Sequence, residues 1–280
     1  MRLLFAVTHY YDAAGGGRHG SLGSDPAPRV AALRQLVLQL HRLFGSPAGV
    51  LNHLKRRVDQ AHDGTGELTI LICVSGEKHL LGQLNDLAGG FTAVACEPED
   101  PKLLGFACHR ELAARFGDYD YSCYLEDDIL INDSDFFLKL AHFNRVFGNQ
   151  LLLLPNRIET TQDLARLRRF YIDGDYNPDS TQTYRQLTGQ RFSLDHLGTA
   201  VQFVQPLNPH AGCFFLNRQQ AAAYFDSEAS RAIDVSFHGP LESAATLGML
   251  KTFQIVKPHY DSGRFLTVEH AGRNFMGLVR

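Results

Sequence analysis

The first half of the chain alternates short apolar runs with longer segments in which apolar residues recur every third or fourth position. Short apolar runs are typical of buried β-strands, and the longer spacing is typical of helices with one buried face. Because the two kinds of segment alternate, we predict an α/β fold with a mostly parallel central sheet flanked by helices. The predicted strands cover residues 3–7, 68–74, 91–96 and 121–125.

Helices are predicted between these strands. The longest begins after Pro26 and Pro28 and covers residues 30–44, ending at Gly45. The same spacing predicts helices over 50–61, 79–87 and 103–116. In the less regular second half we predict strands at 151–155, 213–216 and 253–256 and helices at 219–225 and 241–250. No repeat or interdomain linker is visible, so we expect one domain over residues 1–280.

Composition and charge narrow the class of protein. With 44% hydrophobic residues, the 280-residue chain can bury a full core and is expected to be globular. Its 27 Lys and Arg and 30 Asp and Glu residues give a net charge of −3 without a long basic block, so nucleic acid is not an expected partner. The apolar N-terminal run ends at Thr8, too short for a transmembrane segment or a signal peptide. Five cysteines without CxxC spacing favour a reducing cytoplasm and no zinc site.

Three adjacent acids, Glu126-Asp127-Asp128, follow the predicted strand at 121–125. Strand alternation places Glu126 and Asp128 on the same side, where two carboxylates can share a divalent cation such as Mg²⁺ or Mn²⁺. The alternative is that the acids cap the next helix, although residues 132–135 are equally suited to that task. We therefore favour a metal site.

The segment after the first strand is a second candidate for ligand binding. Residues 12–28 are rich in Gly, Ser and Asp and include Gly15-Gly16-Gly17. They follow the carboxyl end of the first strand, where open α/β sheets bind ligands. An ordinary surface loop is the equally weighted alternative.

The order of strands and helices, ending in an acidic triplet at a strand end, resembles the GT-A superfamily of nucleotide-sugar-dependent glycosyltransferases. The triplet is similar to the DxD motif of that superfamily, with Glu126 in place of the first Asp. The resemblance implies that residues 1–130 bind the donor nucleotide and residues 131–280 the acceptor. It also implies that Glu126 faces the donor ribose with Asp127 beside it, and that Asp128 holds a Mn²⁺ or Mg²⁺ ion, to which Glu126 can contribute.

Two downstream segments extend the resemblance. The segment 239–244 is similar to one that carries the catalytic base in several GT-A families, which implies that Glu242 is the base, with Asp234 and His238 as alternatives. The segment 268–275 is similar to one that supplies a histidine ligand to the metal, which implies metal binding by His270 and diphosphate binding by Arg273. Glu242 could equally complement a helix dipole, and a histidine near a terminus is often a surface residue.

Further donor and acceptor candidates follow from position. Arg110 could contact the donor or form a surface salt bridge. Arg166, Arg168 and Arg169 could attract an anionic acceptor or form a solvated face. The remaining donor-site candidates lie at strand exits: Thr8, His9, Tyr10 and Ser75.

Together these observations predict a metal-dependent glycosyltransferase that moves a sugar from a nucleotide-sugar donor to a glycan or glycolipid acceptor, with inversion favoured. A role in bacterial surface polysaccharide synthesis, in the cytoplasm or at the inner face of the membrane, would follow from the resemblance. One rival is a sugar nucleotidyltransferase, for which Gly15-Gly16-Gly17-Arg18 would serve as a phosphate loop without a Lys. The other is a non-catalytic module that binds metal or glycan.

Overall fold

The computed structural model describes residues 1–16, 20–45, 48–61, 66–161, 169–174, 181–272 and 275–278. The α-helices within these ranges are α1 (Ala27–Phe44), α2 (Leu104–Ala113), α3 (Phe136–Phe147), α4 (Arg218–Phe225), α5 (Glu228–Arg231) and α6 (Pro240–Thr252). The strands are β1 (Leu3–Thr8), β2 (Ala48–Asn52), β3 (Arg57–Ala61), β4 (Leu68–Ser75), β5 (Thr92–Cys96), β6 (Tyr121–Glu126), β7 (Ile129–Leu130), β8 (Leu151–Leu153), β9 (Asn156–Thr160), β10 (Arg169–Tyr171), β11 (Arg191–His196), β12 (Thr199–Val204), β13 (Cys213–Asn217), β14 (Gln254–Pro258) and β15 (Thr267–His270).

The central sheet has five strands in the order β13, β6, β1, β4, β5. β6, β1, β4 and β5 run parallel, and β13 joins the edge of β6 antiparallel. α1 packs against β4, and α2 packs against β1, β4 and β6. This topology confirms the predicted α/β class with a mostly parallel central sheet. The central strands β1, β4 and β6 are buried on both faces, as is usual in parallel sheets.

Two smaller sheets contain the other strands that follow the acidic segment. One has the order β10, β9, β15, β7, and the other has the order β11, β12, β14, β8. β6 continues through Asp127 and Asp128 directly into β7, so the acids form the turn between the central sheet and the first small sheet. This junction positions the candidate site.

Aromatic side chains fill the core between the central sheet and α3. Phe137 packs edge-on against Phe5 with ring centroids 6.1 Å apart, and Phe136 packs on Phe215 at 4.7 Å. All four rings are at most 2% exposed. The five cysteines are buried and unpaired, as expected of small apolar side chains.

The predicted helix over 50–61 is wrong, because β2 and β3 form an antiparallel hairpin there. The apolar residues that gave the helical spacing are largely exposed, with Leu54 at 92%, so their periodicity reflects no buried face. Asn52 stabilises the turn by accepting a hydrogen bond from the Lys55 amide at 3.0 Å. The predicted helix over 79–87 is also shorter, since only a 3₁₀ helix at Leu81–Leu87 forms.

Among the helices that the structure describes, none has the length and apolar character needed to cross a bilayer.

Candidate functional site

The acidic turn lies at the carboxyl-end edge of the parallel strands. Glu126 is the last residue of β6 and pairs in register with Thr8, the last residue of β1. The Asp128 carbonyl accepts a hydrogen bond from the Ala271 amide at 2.8 Å, one residue after β15. Because β15 also pairs with β7, His270 is brought beside Asp128. Ligands of open α/β sheets bind at this edge.

Asp127 is bound by His9 and Arg29. Its Oδ2 lies 2.5 Å from His9 Nδ1, and its Oδ1 accepts a hydrogen bond from Arg29. The Leu80 amide donates to the other ring nitrogen of His9, Nε2, at 3.0 Å. Nε2 therefore carries no proton, and Nδ1 must be the donor to Asp127. Since His9 is fully buried, this chain of hydrogen bonds fixes the orientation of Asp127.

Asp128 binds a different set of groups. Arg29 Nη1 lies 2.7 Å from its Oδ2, and His270 Nε2 lies 3.5 Å from the same oxygen. The second oxygen, Oδ1, is buried and has no hydrogen-bond partner among the described residues. His270 is oriented from behind, because its Nδ1 lies 3.0 Å from the fully buried carboxylate of Glu159. Glu159 also accepts hydrogen bonds from the Phe275 and Met276 amides.

The charges around Asp128 decide its protonation. Burial opposes its ionisation, but the hydrogen bond from His270 and the charge of Arg29 outweigh burial and hold the pKa of Asp128 well below its usual range. Burial likewise lowers the pKa of His270, and contact with Asp128 more than offsets this, so that the pKa of His270 is raised. Asp128 is thus a carboxylate, and its contact favours the charged form of His270 in the metal-free protein.

A second group of buried charges lies on the other side of Glu126. Arg157, on β9, donates two hydrogen bonds to Asp173 Oδ1, at 2.7 and 3.2 Å, and a third to Oδ2 at 3.3 Å. Lys257, on β14, lies 3.4 Å from Asp173 Oδ2 and donates to the His210 carbonyl. His210 in turn bonds Thr246 through Nδ1 at 2.9 Å. All these charged groups have bonded partners.

Glu126 lies between the two groups. Its Oε2 is 3.8 Å from Arg157 Nη1, and its Oε1 is 4.0 Å from His210 Nε2. Burial raises the pKa of Glu126 to about 7; Arg157 opposes this shift, and the charges of Asp128 and Glu242 add to it. Glu126 therefore takes up and releases protons near neutral pH.

The donor set around Asp128 fits a divalent ion. Within the ranges that the structure describes, no three His, Cys, Asp or Glu side chains form a cluster suited to a metal. Mg²⁺ and Mn²⁺ in phosphate-transfer sites need fewer protein ligands, because substrate phosphates and water complete the coordination shell. The unpartnered Oδ1 of Asp128 and the His270 ring, held by Glu159 as metal-binding histidines usually are, provide such a pair.

The three residues predicted as catalytic take different positions. Glu242 is half-buried in the first turn of α6, and its charge acts on Glu126. His238 is exposed, with a backbone φ of 55°, and its charge acts on His210. Asp234 pairs with Lys251, whose hydrogen bond lowers the pKa of Asp234 to about 2. The structure thus brings Glu242 toward the acidic turn and commits Asp234 to a local ion pair.

Only some of the predicted donor residues lie at the edge of the sheet that carries the acidic turn. Thr8 and His9 lie at the sheet edge beside the acids, Tyr10 packs partly against the core, and Ser75 ends β4 at the same edge. Arg110 is exposed in the last turn of α2. Arg273 lies outside the described residues.

The arginine run predicted to attract an anionic acceptor is only partly described. Arg166 and Arg168 lie outside the described residues, whereas Arg169 begins β10. Arg169 lines a cavity of about 390 Å³ together with Lys139, Glu269 and other polar residues. Glu269 precedes His270 on β15 and points to the other face of that strand. The cavity is therefore separated from the acidic turn by the small sheet.

Sequence reasoning missed most of the cations that meet the acids. Arg29, Arg157 and Lys257 were not singled out. Arg157 and Glu159 carry a detectable signal, because charged residues two apart in an apolar strand must share one buried face. Arg29 has no such signal, since it follows two prolines at the start of a helix.

Comparisons with known proteins return structures only. No protein-family model and no curated sequence matches the chain. Among solved structures, TarS of S. aureus is 9% identical over 92% of this chain with a TM-score of 0.44, and the match spans only 35% of TarS. The galactosyltransferase LgtC, in complex with donor and acceptor sugar analogues, is 13% identical over 92% of this chain and 73% of LgtC, with a TM-score of 0.43. GalNAc-T7 with UDP, GalNAc and Mn²⁺ is 10% identical over 96% of this chain and 43% of GalNAc-T7, with a TM-score of 0.44.

The topology of the central sheet confirms the α/β class. A likeness at such TM-scores and identities leaves the activity to be argued from the site itself.

Proposed function

We propose that the protein is a divalent-metal-dependent glycosyltransferase that moves a sugar from a nucleotide-sugar donor to a glycan or glycolipid acceptor. The observation that carries the proposal is the environment of Asp128. One of its oxygens is buried without a partner among the described residues, at the carboxyl end of a parallel strand, beside a histidine that a carboxylate orients. Helix capping, the alternative role of these acids, does not account for this unpaired oxygen. We further propose that the acceptor belongs to surface polysaccharide synthesis on the cytoplasmic side of a bacterial membrane, as the sequence resemblance implies.

Asp128 and His270 would hold the ion, which when bound supplies positive charge to the leaving diphosphate. Glu159 keeps the proton of neutral His270 on Nδ1 and so leaves Nε2 free to act as a ligand. His9 and Arg29 fix the orientation of the Asp127 carboxylate by binding its two oxygens. Thr8, at the exit of β1, borders the place where the donor nucleoside would lie.

The acceptor hydroxyl must lose a proton during transfer, and a carboxylate within reach can accept it. Glu242 remains our candidate for an inverting base, because its charge already influences Glu126 across the site. Burial raises the pKa of Glu126 to about 7. Because the two charges interact, a change in the protonation of Glu126 would change the proton affinity of Glu242. Gly212 contacts Glu126 closely, since a Cβ built there would lie 2.8 Å from Glu126 Oε2.

A nucleotide-release assay tests the proposal. The full chain would be incubated with a panel of nucleotide sugars and Mn²⁺ or Mg²⁺, and Asp128→Asn would be compared with wild type. Asp133→Asn is a matched control, because Asp133 lies in the same segment but pairs with Lys139. We expect metal-dependent release from one donor, reduced at least about a hundredfold in Asp128→Asn. If no nucleotide sugar is consumed and none raises the melting temperature, the proposal is wrong.

One observation favours a second candidate, a sugar nucleotidyltransferase. Such enzymes bind a triphosphate with a basic residue that follows the first strand, and Arg29 reaches the acidic turn from the segment after β1. Protection against thermal unfolding separates the two. Stabilisation by a nucleoside triphosphate with a sugar phosphate, and none by nucleotide sugars, would favour this candidate, whereas metal binding without any nucleotide would favour a binding module.

A further inference from the structure

Arg29 lies where a bound cation would be expected, between the carboxylates of Asp127 and Asp128. One of its terminal nitrogens is 2.7 Å from Asp128 Oδ2, and the other donates to Asp127 Oδ1. The Arg29 side chain is only 14% exposed, and Asp127 is 4% exposed. A side chain of the protein therefore already supplies positive charge to the two acids.

The arrangement leaves one atom of each partner unsatisfied. Arg29 Nε and Asp128 Oδ1 are both buried and make no hydrogen bond within the described part of the chain. An arginine usually binds one carboxylate through two parallel hydrogen bonds, whereas Arg29 is divided between two carboxylates. Buried polar atoms without partners cost free energy. Arg29 and Asp128 therefore each lack one hydrogen bond, as expected if a further charged group completes the site.

Arg29 and a divalent ion would share the carboxylate of Asp128. The ion proposed above would lie near both Asp128 and His270, and His270 Nε2 is 3.5 Å from Asp128 Oδ2. Arg29 donates to that same oxygen. A guanidinium and a divalent ion a few ångströms apart repel each other strongly in a buried site. They cannot both keep their full interaction with Asp128.

We propose that Arg29 is an internal counter-cation that competes with the divalent metal for Asp128 and thereby weakens metal binding. This inference rests on the proposed function only in taking Asp128 and His270 as the metal-binding pair. In the metal-free protein Arg29 neutralises the acidic turn and keeps it folded. When the ion binds, Arg29 gives up Asp128 and retains its contact with Asp127.

Mn²⁺ binding to the full chain tests the competition directly, with free Mn²⁺ measured by electron paramagnetic resonance. Arg29→Met removes the charge and keeps most of the side-chain volume, and we expect it to bind Mn²⁺ at least about tenfold more tightly than wild type. The matched control is Arg34→Met, on the same helix, because Arg34 is paired with Asp86 instead. It should leave the affinity unchanged. Equal or weaker Mn²⁺ binding by folded Arg29→Met would overturn the proposal.

Thermal unfolding provides a second readout. Arg29→Met leaves two buried carboxylates without their cation, so its melting temperature should be lower than that of wild type, and Mn²⁺ should raise it by more than it raises that of wild type. If Arg29→Met does not fold, Arg29→Lys keeps a charge but cannot contact both carboxylates in the same way. It should bind Mn²⁺ more tightly than wild type, and an unchanged affinity would contradict the competition.

The two proposals fail in different ways. If Arg29→Met binds Mn²⁺ more tightly but no nucleotide sugar binds or is consumed, the competition stands and the glycosyltransferase proposal falls. If a nucleotide sugar is consumed and neither wild type nor Arg29→Met binds Mn²⁺, the transfer proposal survives without its metal and the competition is wrong.

Discussion

The two buried arginines beside the acidic turn, Arg157 and Arg29, differ in the number of carboxylates to which they donate hydrogen bonds. Arg157 donates three hydrogen bonds to the single carboxylate of Asp173, and Lys257 approaches the same carboxylate. Arg29 is divided between Asp127 and Asp128 and keeps an unpaired Nε. We call the first set, Arg157 with Asp173, Lys257 and His210, the Arg157 cluster, and the second, Arg29 with His9, Asp127 and Asp128, the Arg29 cluster.

The difference separates a structural role from a binding role. The Arg157 cluster joins β9 to β14 and satisfies its charges internally, so it holds the second half of the chain together beside Glu126. The Arg29 cluster contains an acceptor and a donor without partners among the residues described. A set of buried charges that is already complete has little to gain from a ligand, whereas an incomplete set gains free energy when a ligand completes it. We therefore expect ligands to act on the Arg29 cluster.

The largest expected effect is loss of stability when the Arg157 cluster is broken. Asp173→Asn removes the carboxylate that the buried Arg157 and Lys257 share, which should lower the free energy of unfolding by about 3–5 kcal/mol. Urea unfolding followed by circular dichroism measures this. Mn²⁺ should not restore the stability, in contrast to Arg29→Met. A loss under about 1 kcal/mol would show that the cluster is not a structural element.

Glu126, between the clusters, should make the stability of the metal-free protein depend on pH. Burial raises its pKa from 4.5 to about 7 in the folded protein. The folded state therefore keeps a proton that the unfolded state loses. The stabilisation is fully present below pH 4.5 and is lost as the pH rises through 7, a change of about 3 kcal/mol from this group alone.

Urea unfolding across that pH range in Glu126→Gln tests this dependence, because glutamine does not titrate. The variant should lose stability less steeply than wild type between pH 4.5 and 7. Glu242→Gln sharpens the test, since removing the charge of Glu242 should lower the pKa of Glu126 and shift the transition to lower pH. Identical pH profiles for wild type and Glu126→Gln would contradict the assignment.

Glu159→Gln tests the support of the metal-binding histidine. Glu159 holds His270 Nδ1 at 3.0 Å, so the change should weaken Mn²⁺ binding by about 10–100-fold with little change in fold. Mn²⁺ titration measures the affinity. Glu269→Gln is the control. Glu269 is next to His270 on β15, but its carboxylate accepts hydrogen bonds from Asn132 and Thr160. Equal Mn²⁺ affinities in wild type and Glu159→Gln would contradict the assignment of His270 as a metal ligand.

The smallest expected effect concerns the close approach of Gly212 to Glu126. Gly212 has a φ of 63°, and an added Cβ would lie 2.8 Å from Glu126 Oε2. Gly212→Ala should therefore cost roughly 1–2 kcal/mol of stability from the backbone, plus a contribution from displaced Glu126. Gly189→Ala is a matched control, since Gly189 has a φ of 66° and open space around it. Equal losses in both variants would show that Glu126 is not displaced.

The sequence by itself determined the central sheet and the location of the acids. The strands at 68–74 and 121–125 were predicted nearly as they form, because their apolar runs are buried on both faces and the pattern reports that burial directly. The acids lie at the carboxyl end of β6 as predicted, with Glu126 as the last residue of the strand. The hairpin of β2 and β3 was misread because its apolar residues are exposed and their spacing carries no information on burial.

Only the tertiary structure decided which cations meet those acids. Asp127 binds His9, 118 positions away, and Asp128 binds Arg29, 99 positions away. His270 reaches Asp128 because β15 pairs with β7, and Arg157 reaches Glu126 from a strand in the same small sheet. Contacts of this kind depend on strand order and register, which local patterns of apolar and polar residues do not encode. The acids could be located from the sequence, but their partners depend on how distant strands and helices pack.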